Sequence, residues 1–163
     1  MTSKKSLIVS ISLLTLILVL SGLPALAQDK EKQSDNMQIL REKVRADKKL
    51  FMAQNMQLTE AQAKGFWPIY ESYQNDLMKY NDRVMAMIKS YASGYESMTE
   101  TSAKQLLDTY FGLEMDRVNM GKAYLPKLQA VLPNVKIARF YQLENKIQAA
   151  ISFDAAIHIP LIK

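Results

Sequence analysis

The residue types that most often carry chemistry are scarce in this chain. It has no Cys and a single His, His158. That leaves no thiolate nucleophile, no disulfide framework and no cysteine metal cage, and it removes most histidine-dependent metal chemistry. The carboxylates Asp76, Asp82, Asp108, Glu114, Asp116 and Glu144 fall in helical sequence, where a solvated face is their ordinary use. Asp154 stands among Ile151, Phe153, Ala155, Ala156 and Ile157, and a lysine partner or a helix-end role accounts for it. A catalyst needs a nucleophile, an acid or base and a charge stabiliser in one pocket. The pattern offers no such set, so no catalytic residue is assigned and a non-enzymatic protein is expected.

Two cofactor chemistries compete with that reading. All but one of the 10 Met lie beyond residue 27, among them the Met52 and Met56 pair and Met85-Ala86-Met87, a thioether supply suited to cuprous copper. Residues two apart do not share a helix face, and Met at helical spacing is more often core filler. His158 with Met37 could hold haem, as one His and one Met do in exported four-helix bundles. His158 lies two residues before Pro160 at a fraying helix end, however. Neither metal nor cofactor is expected.

These residues hang on a chain of 163 residues, 48% hydrophobic with 5 Gly and 5 Pro, on the scale of one compact domain. It is too apolar for disorder and too poor in Gly and Pro for a collagen-like or low-complexity sequence. Residues 1–27 stand apart. Lys4 and Lys5 precede an uncharged run from Leu7 to Leu20, and Ala25-Leu26-Ala27 is a small-x-small cleavage signal, so the expectation is a secretory signal peptide cut after Ala27. A membrane anchor is the rival reading, because no charge falls between Leu7 and Ala27; Gly22 and Pro24 argue against it. Cleavage would remove Lys4 and Lys5 and lower the formal charge from +5 to +3. That excess is well below what nucleic-acid binders carry, so no nucleic-acid partner is expected.

Residues 28–35 lack apolar periodicity and are expected to form a mobile tail, leaving 36–163 as a single all-α domain. Helical spacing of Met37, Leu40, Val44 and Phe51 predicts a first helix over about Asn36 to Asn55. Thr59-Glu60-Ala61-Gln62 is a capping box, and behind it Phe66, Tyr70, Tyr73, Leu77, Tyr80, Val84, Met87 and Tyr91 recur every 3.5 residues on average. Such a seam requires a partner helix packed lengthwise. A second helix over Glu60 to Ala92 would be roughly 50 Å long, which demands an elongated fold. Pro68 is expected to kink its first turns or be absorbed there.

Ser90 to Ser102 predicts a turn, and Ser102 with Gln105 offers a cap for a third helix reaching about Val131. That helix carries two stripes, Leu106, Tyr110, Leu113, Met120 and Tyr124 beside Leu107, Phe111, Val118, Leu125 and Leu132, a width that suggests two neighbours. Pro133 and Asn134 mark the last turn. The fourth helix is expected to run to about His158 and to bury Ile137, Phe140, Tyr141, Ile147 and Ile151. No strand alternation is visible, and the expected class is all-α, an elongated arrangement of four helices in hairpins.

A weak internal repeat lays LTEAQAKGFWPIY from Leu58 over LPNVKIARFYQLE from Leu132. Leu58-Thr59-Glu60-Ala61-Gln62 is an LTxxQ sequence, and in this respect the chain resembles the Spy and CpxP group of bacterial periplasmic helical proteins. Its second copy is degenerate, with Leu132, Pro133 and Lys136 at the Leu, Thr and Gln positions. The wider pattern, with its final IPL, is more similar to a poorly characterised branch of exported helical proteins. The likeness spans most of residues 28–163.

The resemblance implies a periplasmic location and a thin, curved protomer that pairs into a homodimeric cradle. It also implies a function: binding unfolded or flexible polypeptides without ATP or, alternatively, acting as a regulatory partner of a membrane stress-sensor kinase. Arg41, Lys43, Arg45, Lys48 and Lys49 would attract acidic or flexible segments, and Phe51, Met52, Met56, with Met37 and Met85, would hold apolar ones. A solvated basic face and core packing are the ordinary uses of the same residues.

Overall fold

The computed structural model describes residues 27–162, without the side chains of residues 27–37 and 154. The expected leader falls on residues outside that range, and the side chains of Met37 and Asp154 are outside it too. Four α-helices follow one another: α1 Ala27–Met56, α2 Glu60–Gly94, α3 Glu100–Gln129 and α4 Asn134–His158. A single 3-10 turn, Tyr95–Ser97, joins α2 to α3. Among the described residues there is no strand, and no helix is long and apolar enough to cross a membrane. The class is all-α.

Helix α1 corrects the expected tail, because it reaches back over residues 28–35. Gln, Lys and Glu are good helix formers, and QDKEKQSD contains neither Gly nor Pro, so propensity extends the helix without an apolar face. At its other end Gln57 adopts a left-handed backbone with φ 50°. Lys136 of α4 donates to the carbonyls of Met56 and Gln57 at 2.8 and 2.7 Å, satisfying groups that the helix end leaves open. Lys136 is the residue that stands where the first repeat has Gln62.

Thr59 caps α2 as expected. Its hydroxyl accepts from the Gln62 amide at 3.3 Å, and the Thr59 amide donates to Gln62 Oε1 at 3.1 Å. The helix continues through Pro68 as far as Gly94. The cap of α3 lies three residues before the expected one, at Thr99, where the hydroxyl accepts from the Ser102 amide and the Thr99 amide donates to Ser102 Oγ at 2.9 Å. Pro133 occupies the N-cap position of α4 without a side-chain bond, so Leu132 and Pro133 keep the place of Leu58 and Thr59 but lose the box.

Helix α2 is the spine. It packs antiparallel to α3, with Tyr73 against Tyr124 near one end and Arg83 paired to Asp116 further along. Phe66, Tyr70, Tyr73, Leu77 and Tyr80 of the expected seam are buried, and Val84, Met87 and Tyr91 are half-buried. Phe66 and Phe140, the equivalent positions of the internal repeat, meet edge to face at 5.7 Å. Tyr73 packs the same way on Phe140 at 5.3 Å. Gly65 lets α2 approach the end of α3, since a Cβ there would stand 2.8 Å from Val131 Cγ1. This aromatic junction, with Met52, Met56, Leu128, Leu132, Ile137 and Leu143, is the core.

The second stripe of α3 departs from expectation. Leu132 is buried, but Leu107, Phe111, Val118 and Leu125 are exposed among the described residues. Only the Leu113 and Tyr124 side has found a neighbour.

Candidate functional site

Two polar regions are candidates for function, and the basic cluster of α1 is the first. Arg41 pairs with Asp82 at 2.7 Å and Lys49 with Glu71 at 2.7 Å; Arg45 pairs with Glu71 and also donates to Asn75. Lys49 and Arg45 together hold the Glu71 carboxyl below its usual pKa. Lys48 reaches further in. Its ammonium lies 3.1 Å from Glu144 and donates to Gln74 Oε1 at 3.0 Å, while Gln74 donates back to Glu144 at 3.1 Å. Glu144 is buried, so this closed triangle ties α1, α2 and α4 together and leaves no carboxylate oxygen without a donor. The Tyr70 hydroxyl beside it has no hydrogen-bond partner among the described residues, and burial first, then the Glu144 charge, pushes its pKa upward.

The expected polypeptide-binding residues are therefore brought together, but in a different setting. Four of the five cations are consumed in ion pairs to α2 and α4; Lys43 stays exposed and is in no ion pair among the described residues. Met52 and Met56 are each 0% exposed, and Phe51 is half-buried against the same core. That placement withdraws the two methionines from any surface a partner or a copper ion would meet, because they fill the space between α1 and the aromatic junction. Leu58 is half-buried on the core, Thr59 and Gln62 form the cap, Leu132 is buried and Pro133 exposed. His158 is exposed at the end of α4. Among the described residues no three His, Asp or Glu side chains gather as metal ligands.

The second region is the outer face of α3, which the sequence pattern marks as apolar without saying what covers it. Leu107, Phe111, Met115, Val118 and Leu125 line one side of the helix, and Phe111 is 64% exposed. Positions spaced 4, 4, 3 and 7 residues apart stay within one helical stripe. Near its start lies an apolar groove of about 260 Å³ walled by Met87, Ile88, Tyr91, Leu106, Leu107, Tyr110 and Ile159. The segment after α4 is held there, as Tyr91 donates its hydroxyl proton to the Pro160 carbonyl at 2.5 Å. Exposed Phe153, Ile157 and Leu161 extend apolar surface at the end of α4.

A second groove of about 370 Å³ runs between α3 and α4, with Tyr73 and Tyr141 at its base and Arg117, Lys122, Glu114 and Asn145 around it. Tyr141 donates to the Gly121 carbonyl at 2.7 Å, which fixes the base. Burial raises the pKa of both tyrosines. Arg117 is a residue the sequence reading passes over. Its signal is a cation in the apolar register Leu113, Arg117, Met120, Tyr124, spaced 4, 3 and 4. Both grooves are open and shallow, and neither gathers a nucleophile, a base and a charge stabiliser. A broad contact surface is what this arrangement can offer chemically. The chain matches no protein-family model, no curated protein and no solved structure.

Proposed function

We propose that this protein acts by binding other polypeptides, as an exported, ATP-independent chaperone-like protein rather than an enzyme. The observation that carries the reading is the exposed apolar stripe of α3 from Leu107 to Leu125. Contiguous apolar surface of this kind, kept at the cost of solubility, is characteristic of interaction sites. Met115 and Phe111 are adaptable and large, which suits segments of varied sequence. The LTxxQ resemblance points to the same class of function and to a periplasmic setting.

The contact surface belongs on α3 rather than on α1, since four of the five cations in the α1 cluster are spent internally. Suppression of aggregation of several unfolded proteins at near-stoichiometric amounts, without ATP, tests the proposal. Serine at Phe111 and Met115 together should abolish most of that effect with the helix content unchanged. No suppression by the unmodified protein across those clients would refute it. The runner-up is a regulatory partner of an envelope sensor kinase, which rests on the resemblance alone. Capture of one membrane kinase domain in place of many unfolded proteins would favour it.

A further inference from the structure

Pro160 ends α4 and sends the chain out extended. It has no N–H to continue the helix, and its ring disfavours helical backbone at Ile159, which adopts φ −88° and ψ 115°. The segment then lies against the apolar groove near the start of the α3 stripe. Helices α2 and α3 supply every wall of that groove but one, and the exception is Ile159. Tyr91 of α2 clips the segment in place by donating its hydroxyl proton to the Pro160 carbonyl at 2.5 Å. Beyond the clip, Leu161 is 87% exposed and Ile162 is exposed as well. Residues 159–162, IPLI, carry no charge. An extended, uncharged, apolar segment is the kind of ligand that the α3 face is proposed to take. Its hold is light, because one hydrogen bond at the surface and one partly covered side chain are worth little against the contacts of a longer chain.

Building on the polypeptide-binding reading, we infer that residues 159–162 are a built-in competitor for this end of the contact surface: an extended strap, clipped by Tyr91, that a bound polypeptide displaces. Leu107 belongs both to the groove and to the exposed stripe. While the clip holds, Ile159 and Pro160 take the space beside the groove that a segment running along the stripe would enter. Once it opens, groove and stripe form one continuous apolar track. The apparent affinity for a client is then lowered by the fraction of molecules in which the strap is open. The closed strap also covers part of an apolar surface when no client is bound.

Fluorescence anisotropy with a labelled peptide rich in Leu and Phe with Ser spacers, titrated with the full chain and two release variants, tests the inference. Tyr91→Phe removes the proton of the clip and keeps the ring in the groove wall. Ile159→Ser removes the side-chain anchor and leaves α2 and α3 as they are. Affinity for the peptide should rise roughly threefold in Tyr91→Phe and roughly fivefold in Ile159→Ser. An unlabelled peptide copying residues 156–163, AIHIPLIK, should then bring the affinity of Ile159→Ser back toward that of the unmodified chain. Equal or weaker binding by Tyr91→Phe, with the unmodified chain still binding, overturns the inference, makes Ile159 a fixed wall and leaves the apolar-face reading standing. Failure of AIHIPLIK to compete also overturns it. Binding of the labelled peptide by none of the three proteins removes both readings. Tyr91→Phe deletes a single oxygen, so a folding defect in Ile159→Ser cannot obscure the result.

Discussion

Helix α1 delivers Arg41, Arg45, Lys48 and Lys49 to carboxylates of α2 and α4, whereas α3 leaves Arg117 and Lys122 outside any ion pair among the described residues, beside exposed Phe111 and Val118. Both helices are amphipathic and both mix cations with large apolar residues. One has turned four of its cations onto the protein's own chain, although Ile39, Val44 and Leu50 stay exposed on it, and the other has not. Amphipathic pattern alone therefore does not distinguish an element that holds the molecule together from one that presents a face. What distinguishes them is whether the complementary carboxylates are supplied from within.

If that contrast is right, substitutions at the inner junction should cost stability and those on the outer face should cost binding. Phe140→Ala removes the ring on which Phe66, Tyr70 and Tyr73 all pack. It should lower unfolding free energy by about 3–5 kcal/mol in a urea titration. Lys48→Ala strands the Glu144 charge in the interior, and a loss of about 3 kcal/mol is expected, largely restored when Glu144→Gln is added.

The tyrosines give a graded version of the same test. Burial raises the pKa values of Tyr70, Tyr73, Tyr80, Tyr124 and Tyr141, with Tyr124 pushed up to about 12 by burial and its bond to Asp76. The neutral phenol is favoured in the folded chain, so this stability is complete below the ordinary value of about 10 and is lost as pH rises above it. Tyrosinate absorbance should therefore grow together with loss of helical circular dichroism on alkaline titration. The carboxylates of Glu71 and Asp76 are shifted down, and their contribution is lost as pH falls below the ordinary carboxylate range. The smallest expected change in stability is on the outer face, where Phe111→Ser should stay within about 0.5 kcal/mol while aggregation suppression drops.

Much of the fold is legible in the sequence where local rules act. The Thr59 box is fixed by residues three apart, and the α2 seam by its 3.5-residue period, so both appear where the pattern puts them. The ends of α4 follow from Pro133 and Pro160 in the same way. What the pattern does not contain is partner identity. Lys48 and Glu144 are 96 positions apart, and nothing local shows that one neutralises the other. Each nonetheless sits in an apolar register, Val44, Lys48, Phe51 and Phe140, Glu144, Ile147, as Arg117 does on α3. Charged residues in apolar registers are the missed signal, and two of the three prove to be an ion pair whose carboxylate is buried. The second α3 stripe reads as core because periodicity reports an apolar face without counting the neighbours available to cover it.

The most direct test places a photoreactive side chain at Phe111 on α3 or at Lys43 on α1 and maps crosslinks to an unfolded client under identical illumination. The account predicts abundant client crosslinks from position 111 and few from position 43. Crosslinks concentrated at position 43, or equal at the two, would contradict it.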